Sequence, residues 1–346
     1  MTEKVINDRA LNFIDLFCGI GGFRLAIDAA AKKHGYLAEC VLSSDIDDKA
    51  QDAYEANFGE RPIGDITKVN EMTIPDHDIL LGGFPCQAFS IIGEGKGFKD
   101  TRGTLFFDVA RILKEKKPPA FVLENVKQLR SHDSGRTFEI IMNTLFELGY
   151  WVDYRVLNAL DFGVAQKRER ILIVGFLEGT QHGFEWPKPT VSQYATLDDV
   201  LEDDYLVPDE YFASEKIARS RKLAVKGKKL PKGRSIWHEN KSGNISALPY
   251  SCALRAGASY NYLLVDGIRR LTMREMLRLQ GFPEKYKIVC NYSDTRKQAG
   301  NSVPVPMITA VLNQVVSVIK MNRIGIPIEE RRSPVAIHQE ALTLEF

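Results

Sequence analysis

The chain is poor in cysteine. Its five cysteines, Cys18, Cys40, Cys86, Cys252 and Cys290, are odd in number and widely scattered. No CxxC pair or Cys/His cluster occurs, which argues against a disulfide framework and a structural zinc site. Long apolar runs are also lacking. The longest, around 303–319, is broken by Pro, Asn, Gln and Ser, so no span of about 18 uninterrupted apolar residues exists for a membrane helix. The opening MTEKVINDRA has no apolar centre of the kind a signal peptide needs. A cytoplasmic protein with no membrane and no metal is the expectation. Net charge is nearly absent: 46 Lys and Arg against 45 Asp and Glu leave +1. Missing too is the G-x-G-x-x-G dinucleotide fingerprint, which argues against a nicotinamide enzyme.

What is present is an ordinary globular mixture, 44% hydrophobic and 26% charged, and this excludes wholesale disorder. At roughly 100–200 residues per domain, 346 residues suggest two domains. The near-zero charge hides segregation. Residues 190–214 hold seven acids and no Lys or Arg, whereas 215–241 hold ten Lys or Arg and two acids. Short apolar runs at 11–17, 39–46, 78–84, 120–126, 150–159 and 170–176 read as strands. Amphipathic stretches at 22–33, 47–57, 104–116 and 136–148 lie among them. Strands alternating with helices predict an α/β fold with a parallel sheet, whose ligands bind beyond the carboxyl ends of the strands. Those ends are unusual: FCGIGG, SSDID, GGFPCQ and ENV. After Phe176 the pattern turns irregular, aromatic and basic until about 262, and helices return at 271–281 and about 303–321.

Each motif carries chemistry. FIDLFCGIGG sets a glycine-rich turn between strand and helix, where backbone can approach a ligand closely. Asp45 ends the second strand, a place suited to ribose hydroxyls, so a nucleoside-containing cofactor is indicated. Asp65, in GDIT, suits an adenine edge or a helix cap. Cys86 follows Pro85 at the rim, and the glycine-rich stretch after it reads as a loop over a nucleophile. Glu124 is a carboxylate at the end of a core strand, where burial demands a partner or a function. Arg168 and Arg170, two apart, would share one face of their strand, and a salt bridge to Glu124 would satisfy the charges.

These segments, in this order, resemble the DNA (cytosine-5) methyltransferase family of bacterial restriction-modification systems. The resemblance covers about 11–176 and 267–320: FIDLFCGIGGFR, GFPCQAFS, RGTLFF, ENV, QKRERILIVGF, RRLTMREMLRLQGFP and QAGNSVPVPM. It implies a Rossmann-like sheet dependent on S-adenosylmethionine, with a smaller irregular target-recognition domain. The implied layout is 1–178 catalytic, 179–264 target recognition, 265–326 returning to the catalytic domain, and 327–346 a tail.

By resemblance, Cys86 attacks carbon 6 of a cytosine swung out of double-stranded DNA, and Glu124 bonds ring nitrogen 3 and the exocyclic amine. Arg170 contacts the ring oxygen and Arg168 helps hold the site. The cofactor falls to Phe13, Asp15, Gly19, Gly21 and Gly22 in the first loop, then to Asp45 and Ile46, Asp65 and Ile66, Pro85 and Leu105, and Asn301, Ser302 and Val303. Ser90 and Arg102 are implied phosphate contacts. Arg255 is the preferred base reader, among the recognition-region aromatics and cations Trp237, His238, Tyr250, Tyr260 and Tyr262. The acids at 198–210 should face away from the duplex. Two departures stand out. Many members carry Glu and an aromatic where this chain has Asp45 and Ile46, and Cys18 replaces a small residue. A monomer is expected, with any cognate restriction endonuclease acting separately. The competing readings are an RNA cytosine-5 methyltransferase, whose Cys-Phe-Thr motif is missing here, and a catalytically inactive DNA-binding protein, against which the intact Cys86, Glu124, Arg168 and Arg170 argue.

Overall fold

The computed structural model describes residues 10–85, 105–180, 183–190 and 195–324. Cys86, Ser90, Arg102 and the tail 327–346 lie outside the described residues. The first half contains β1 (Ala10–Leu16), α1 (Gly22–His34), β2 (Leu37–Ser44), α2 (Asp48–Phe58) and β3 (Ile79–Gly82). It continues with α3 (Leu105–Lys116), β4 (Ala120–Val126), α4 (Arg136–Glu147), β5 (Tyr150–Asn158), β6 (Gln166–Lys167) and β7 (Glu169–Leu177). Six of these strands form one sheet in the order β2-β1-β3-β4-β7-β5.

Period-two alternation puts successive side chains on opposite faces, and both faces of this sheet are apolar. Leu11, Phe13, Leu81, Val122, Leu172 and Val174 pack on one side with α1. Ile14, Leu16, Leu80, Phe121, Leu123, Ile171 and Ile173 pack on the other with α3 and α4. The result is a sheet between two helical layers.

One strand departs from the expected parallel sheet. β7 is antiparallel to both β4 and β5, while β1, β2, β3 and β4 run parallel. The physical reason is the connection. Parallel neighbours need a crossover of a dozen or more residues, usually a helix. Between β5 and β7 the chain has only a short turn of helix and the two residues of β6, so it doubles back. This reversal places the start of β7 at the carboxyl end of β4.

Beyond β7 come α5 (Glu215–Ala224) and a small antiparallel sheet of β8 (Ile236–Glu239), β9 (Ile245–Leu248) and β11 (Leu263–Val265), in the order β11-β8-β9. β10 (Ser251–Cys252) pairs instead with β6, stitching this region to the main body. α6 (Met273–Leu279) starts at a capping box of Thr272 and Glu275, and Gly281, with φ 76°, follows its end. α7 (Tyr292–Asn301), capped by Asn291, is too polar to show an apolar period in the sequence. α8 (Val305–Ile324) follows, and the helical span Tyr292–Arg323 that contains most of it is long and apolar enough to cross a membrane by length and composition, yet is mostly buried inside the fold. In α8, Met307, Ile308, Val311, Leu312 and Val315 share the α1 side of the core, and Lys320 Nζ donates to the His34 carbonyl at the end of α1 (3.1 Å).

Candidate active site

The carboxyl ends of β1 to β4 open onto a cleft of about 510 Å³. The turn after β1 forms its floor. Gly19 N–H donates to Asp45 Oδ2 (2.8 Å), and Asp47 N–H donates to Asp45 Oδ1 (2.9 Å). The short acid after β2 is thus turned back onto the glycine turn. Burial raises its carboxyl pKa, while those two backbone hydrogen bonds pull it down in part. Gly22 faces the C-terminal wall, where an added Cβ would stand 2.8 Å from Val303 Cγ2 and 2.9 Å from Ser302 Oγ. Only glycine permits that approach.

The expected cofactor residues divide cleanly. Gly19, Gly22, Asp45, Ile46, Asp65 and Ile66 line the cleft, as do Pro85, Leu105, Asn301, Ser302 and Val303. Phe13 and Asp15 are fully buried in β1 beneath it, and Gly21, with φ 81°, caps α1 against the Phe58 ring. These three support the turn and are not among the lining residues. Asp65 caps a short turn through Thr67 and also lines the cleft. Ile46 is 76% exposed at the lip, an apolar surface open to a ligand.

Across the cleft, Glu124 and Arg170 meet. The register pairs Glu124 with Leu172 and Val126 with Arg170, so Glu124 and Arg170 are diagonal neighbours on one face. That face buries Val122 and Leu172 inside the core and emerges at the rim as the ion pair. Arg170 Nε lies 2.8 Å from Glu124 Oε1, with each side chain about nine-tenths covered. Burial pushes the Glu124 carboxyl upward, and the Arg170 and Arg168 charges pull it back in part. Arg168 does not share this pairing. It donates instead to the backbone carbonyls of Leu254, Gly300 and Ser302. Burial, with the Arg170 charge, pulls its pKa down to about 9, so it stays charged at neutral pH. Arg255, exposed, also lines the cleft, with its guanidinium 4.7 Å from the Tyr262 ring centre.

Several working residues had no role assigned from sequence. Asn125 donates from Nδ2 to the Phe84 carbonyl (2.8 Å), fixing the backbone that leads into Pro85. Lys297 closes the far lip on Asp47 (2.6 Å). Gln166 and Gln280 hold buried backbone groups. Asn125 and Gln166 sit inside ENV and QKRER, but their partners are remote in sequence. In the other direction, Trp237 and Tyr262 are buried: Trp237 Nε1 donates to Ser235 Oγ, and Tyr262 Oη accepts the Arg255 N–H. Arg221 is buried against Glu239. Asp204, among the acids, is engaged by Arg234 and Arg269.

Cys18 also lines the cleft, but burial and the Asp15 and Asp45 charges hold its thiol well above the usual range. A protonated thiol is a poor nucleophile.

The profile of the C-5 cytosine-specific DNA methylase family matches residues 11–317. The chain belongs to this family. Type II methyltransferase M.NgoBI of Neisseria gonorrhoeae is 59% identical over 297 residues, 86% of this chain and 90% of its own. Type II methyltransferase M.HaeII of Haemophilus aegyptius is 56% identical over 308 residues, 89% and 93% of the two chains. Among solved structures, the Dnmt2 methyltransferase of S. pombe superposes with a TM-score of 0.67 at 21% identity, covering 89% of this chain and 99% of that one. The methyltransferase EhMeth of Entamoeba histolytica gives 0.64 at 17% identity, covering 91% and 99%. The fold is therefore that of S-adenosylmethionine-dependent methyltransferases, with β7 as its antiparallel member. The protein is a DNA cytosine-5 methyltransferase that takes its methyl group from S-adenosylmethionine. The cleft suits that cofactor: a glycine turn, an acid at the second strand and an apolar lip converge there. Ser302 Oγ in its wall is buried with no hydrogen-bond partner among the described residues.

Proposed function

We propose that this methyltransferase works through Cys86, Glu124 and Arg170 on a cytosine swung out of the duplex. The observation that carries the reading is the Arg170–Glu124 pair on the cleft wall, opposite the glycine turn and beside the Pro85 that precedes Cys86. A flipped base is needed because carbon 6 is inaccessible within a stacked helix. The Cys86 thiolate adds to carbon 6, breaking the carbon 5–carbon 6 π bond and moving its electron pair onto carbon 5. Glu124 holds ring nitrogen 3 and the exocyclic amine, and Arg170 orients Glu124 and meets the ring oxygen. S-adenosylmethionine, held in the cleft, would supply the methyl group for carbon 5, its sulfonium–methyl bond breaking to leave S-adenosylhomocysteine. A base then removes the carbon 5 proton, and the sulfur–carbon 6 bond breaks to restore the ring. Arg168 orients the pocket from behind.

Asp45, Ile46, Asp65, Ile66 and the 301–303 segment hold the cofactor in this reading, with Pro85 and Leu105 at its side. Phe13, Asp15 and Gly21 shape the turn that receives it. Ser90 and Arg102 contact phosphate, and Arg255 reads a base. The division of labour is 1–178 with 265–326 for chemistry and 179–264 for target recognition. The relatives' Type II designation supports a role in a restriction-modification system, with the enzyme acting as a cytoplasmic monomer beside a separate endonuclease. Bisulfite sequencing of DNA treated with the purified protein and S-adenosylmethionine tests the reading. One recurrent sequence with a converted-resistant cytosine is expected, and unmarked DNA would overturn it.

A further inference from the structure

Three segments far apart in sequence meet at one buried point. Arg168 is 1% exposed. It donates from Nη1 to the Leu254 carbonyl (2.9 Å) and from Nη2 to the carbonyls of Gly300 (2.9 Å) and Ser302 (2.6 Å). Gln166 accepts the Leu254 N–H at Oε1 (2.9 Å) and donates to the Leu279 carbonyl (2.8 Å). Gln280 donates to the Ala299 carbonyl (2.5 Å). Hydrogen bonds from a charged donor are among the strong ones, and a buried partner left unsatisfied is costly. Residue 254 and residues 300–302 are therefore held to a common frame.

The backbones also touch. An added Cβ on Gly300 would stand 2.5 Å from Ala256 N and 2.9 Å from the Arg255 carbonyl carbon. On the other side, Ser302 and Val303 press against Gly22 of the first turn. Contact thus runs unbroken from the segment carrying Arg255, through 300–303, to the glycine turn that holds Asp45. Arg168 also lies two residues before Arg170, the partner of Glu124.

We propose that Arg168 is a positioning residue that couples the two ligands: by tying residues 254–256 to 300–302, it makes the seating of DNA on the recognition segment set the cofactor wall of the cleft. Close-packed backbones have few arrangements, so a shift at one end is passed on and not absorbed. Such coupling is reciprocal: each ligand tightens the other by the same factor. A merely structural Arg168 would weaken both ligands without changing that factor.

The inference rests on the DNA methyltransferase reading, and the test separates the two. Bisulfite sequencing of plasmid treated with the full-length protein identifies the target, and a short duplex carrying it is the probe. Calorimetry then gives the dissociation constant of unreactive S-adenosylhomocysteine with and without that duplex. The wild-type ratio should be about fivefold or more, the low end of usual couplings, and the same factor should appear in duplex affinity. Gly300→Ala drives a methyl group into the 255–256 backbone. Arg168→Lys keeps the charge but loses the planar fork that spans three carbonyls. Both should bring the ratio below about twofold. With the duplex at concentrations that saturate each variant, a loss of affinity at one site alone leaves the ratio untouched, so damage to one site cannot mimic the result. A wild-type ratio of one overturns the coupling without recourse to any variant, and so does an unchanged ratio in the folded variants. Plasmid with no methylated site would remove the function reading beneath it.

Discussion

Arg170 approaches Glu124 to 2.8 Å across two strands that run in opposite directions. The reversal matters to the chemistry. An arginine at the start of a parallel strand would lie at the far edge of the sheet, away from the cleft. Because β7 is antiparallel, its first residues share a rim with the last residues of β4, and the two charges meet in the wall of the cleft.

Glu124→Gln should slow methyl transfer about 10²–10⁴-fold, the usual range for a general acid–base group. The amide oxygen still accepts from Arg170, so the fold should persist. Single-turnover transfer of labelled methyl groups, with circular dichroism as the folding control, checks this. A folded variant at nearly the wild-type rate would make Glu124 a structural partner of Arg170 only.

Cys86→Ser should abolish transfer while S-adenosylmethionine binding survives. DNA bearing 5-fluorocytosine at the target should trap the wild-type protein covalently, because fluorine cannot leave as a proton does. Peptide mapping should place the adduct on Cys86. An adduct on Cys18, whose buried thiol is held protonated, would sink the assignment.

Asp15 is fully buried, and neither carboxylate oxygen has a partner among the described residues. Burial raises its pKa well above the usual value. A raised folded-state pKa gives stability that is complete below the unfolded value, about 3.9, and is lost as pH rises through the folded value. Asp15→Asn never ionises and avoids that loss. Its stability relative to wild type, measured by urea unfolding without cofactor, should therefore grow from pH 4 towards neutrality. Each pKa unit of difference contributes about 1.4 kcal/mol. A difference that stays flat or falls over that range refutes the account.

Lys216, Lys222, Lys226 and Lys229 are exposed in and after α5. Replacing one that touches phosphate should weaken all DNA alike and reduce the slope of log K against log salt by about 0.9. Arg255→Ala should instead cost about 1–3 kcal/mol at one base position. Transplanting 180–262 from a relative with another target should transfer that target. An active hybrid that still marks the original sequence would place specificity elsewhere.

The short apolar runs mark each strand of the main sheet, because a strand buried on both faces is apolar throughout, and that is a local property. The glycine turn, Asp45 and the rim position of Glu124 were legible for the same reason: all lie at strand ends. Partners were not. Arg168 and Arg170 are the same residue type two positions apart, yet one holds three distant carbonyls and the other a carboxylate. Trp237 and Tyr262 look like base-reading aromatics in the sequence and are core residues in the fold. α7 has no apolar period, and it forms where Asn291 caps it and Gln298 anchors to the Lys49 carbonyl (2.9 Å). A residue's own type and its near neighbours decide what it offers chemically. Only tertiary structure decides what meets it, because a polar group's partner is whichever remote backbone or side chain the packed core brings within about 3 Å.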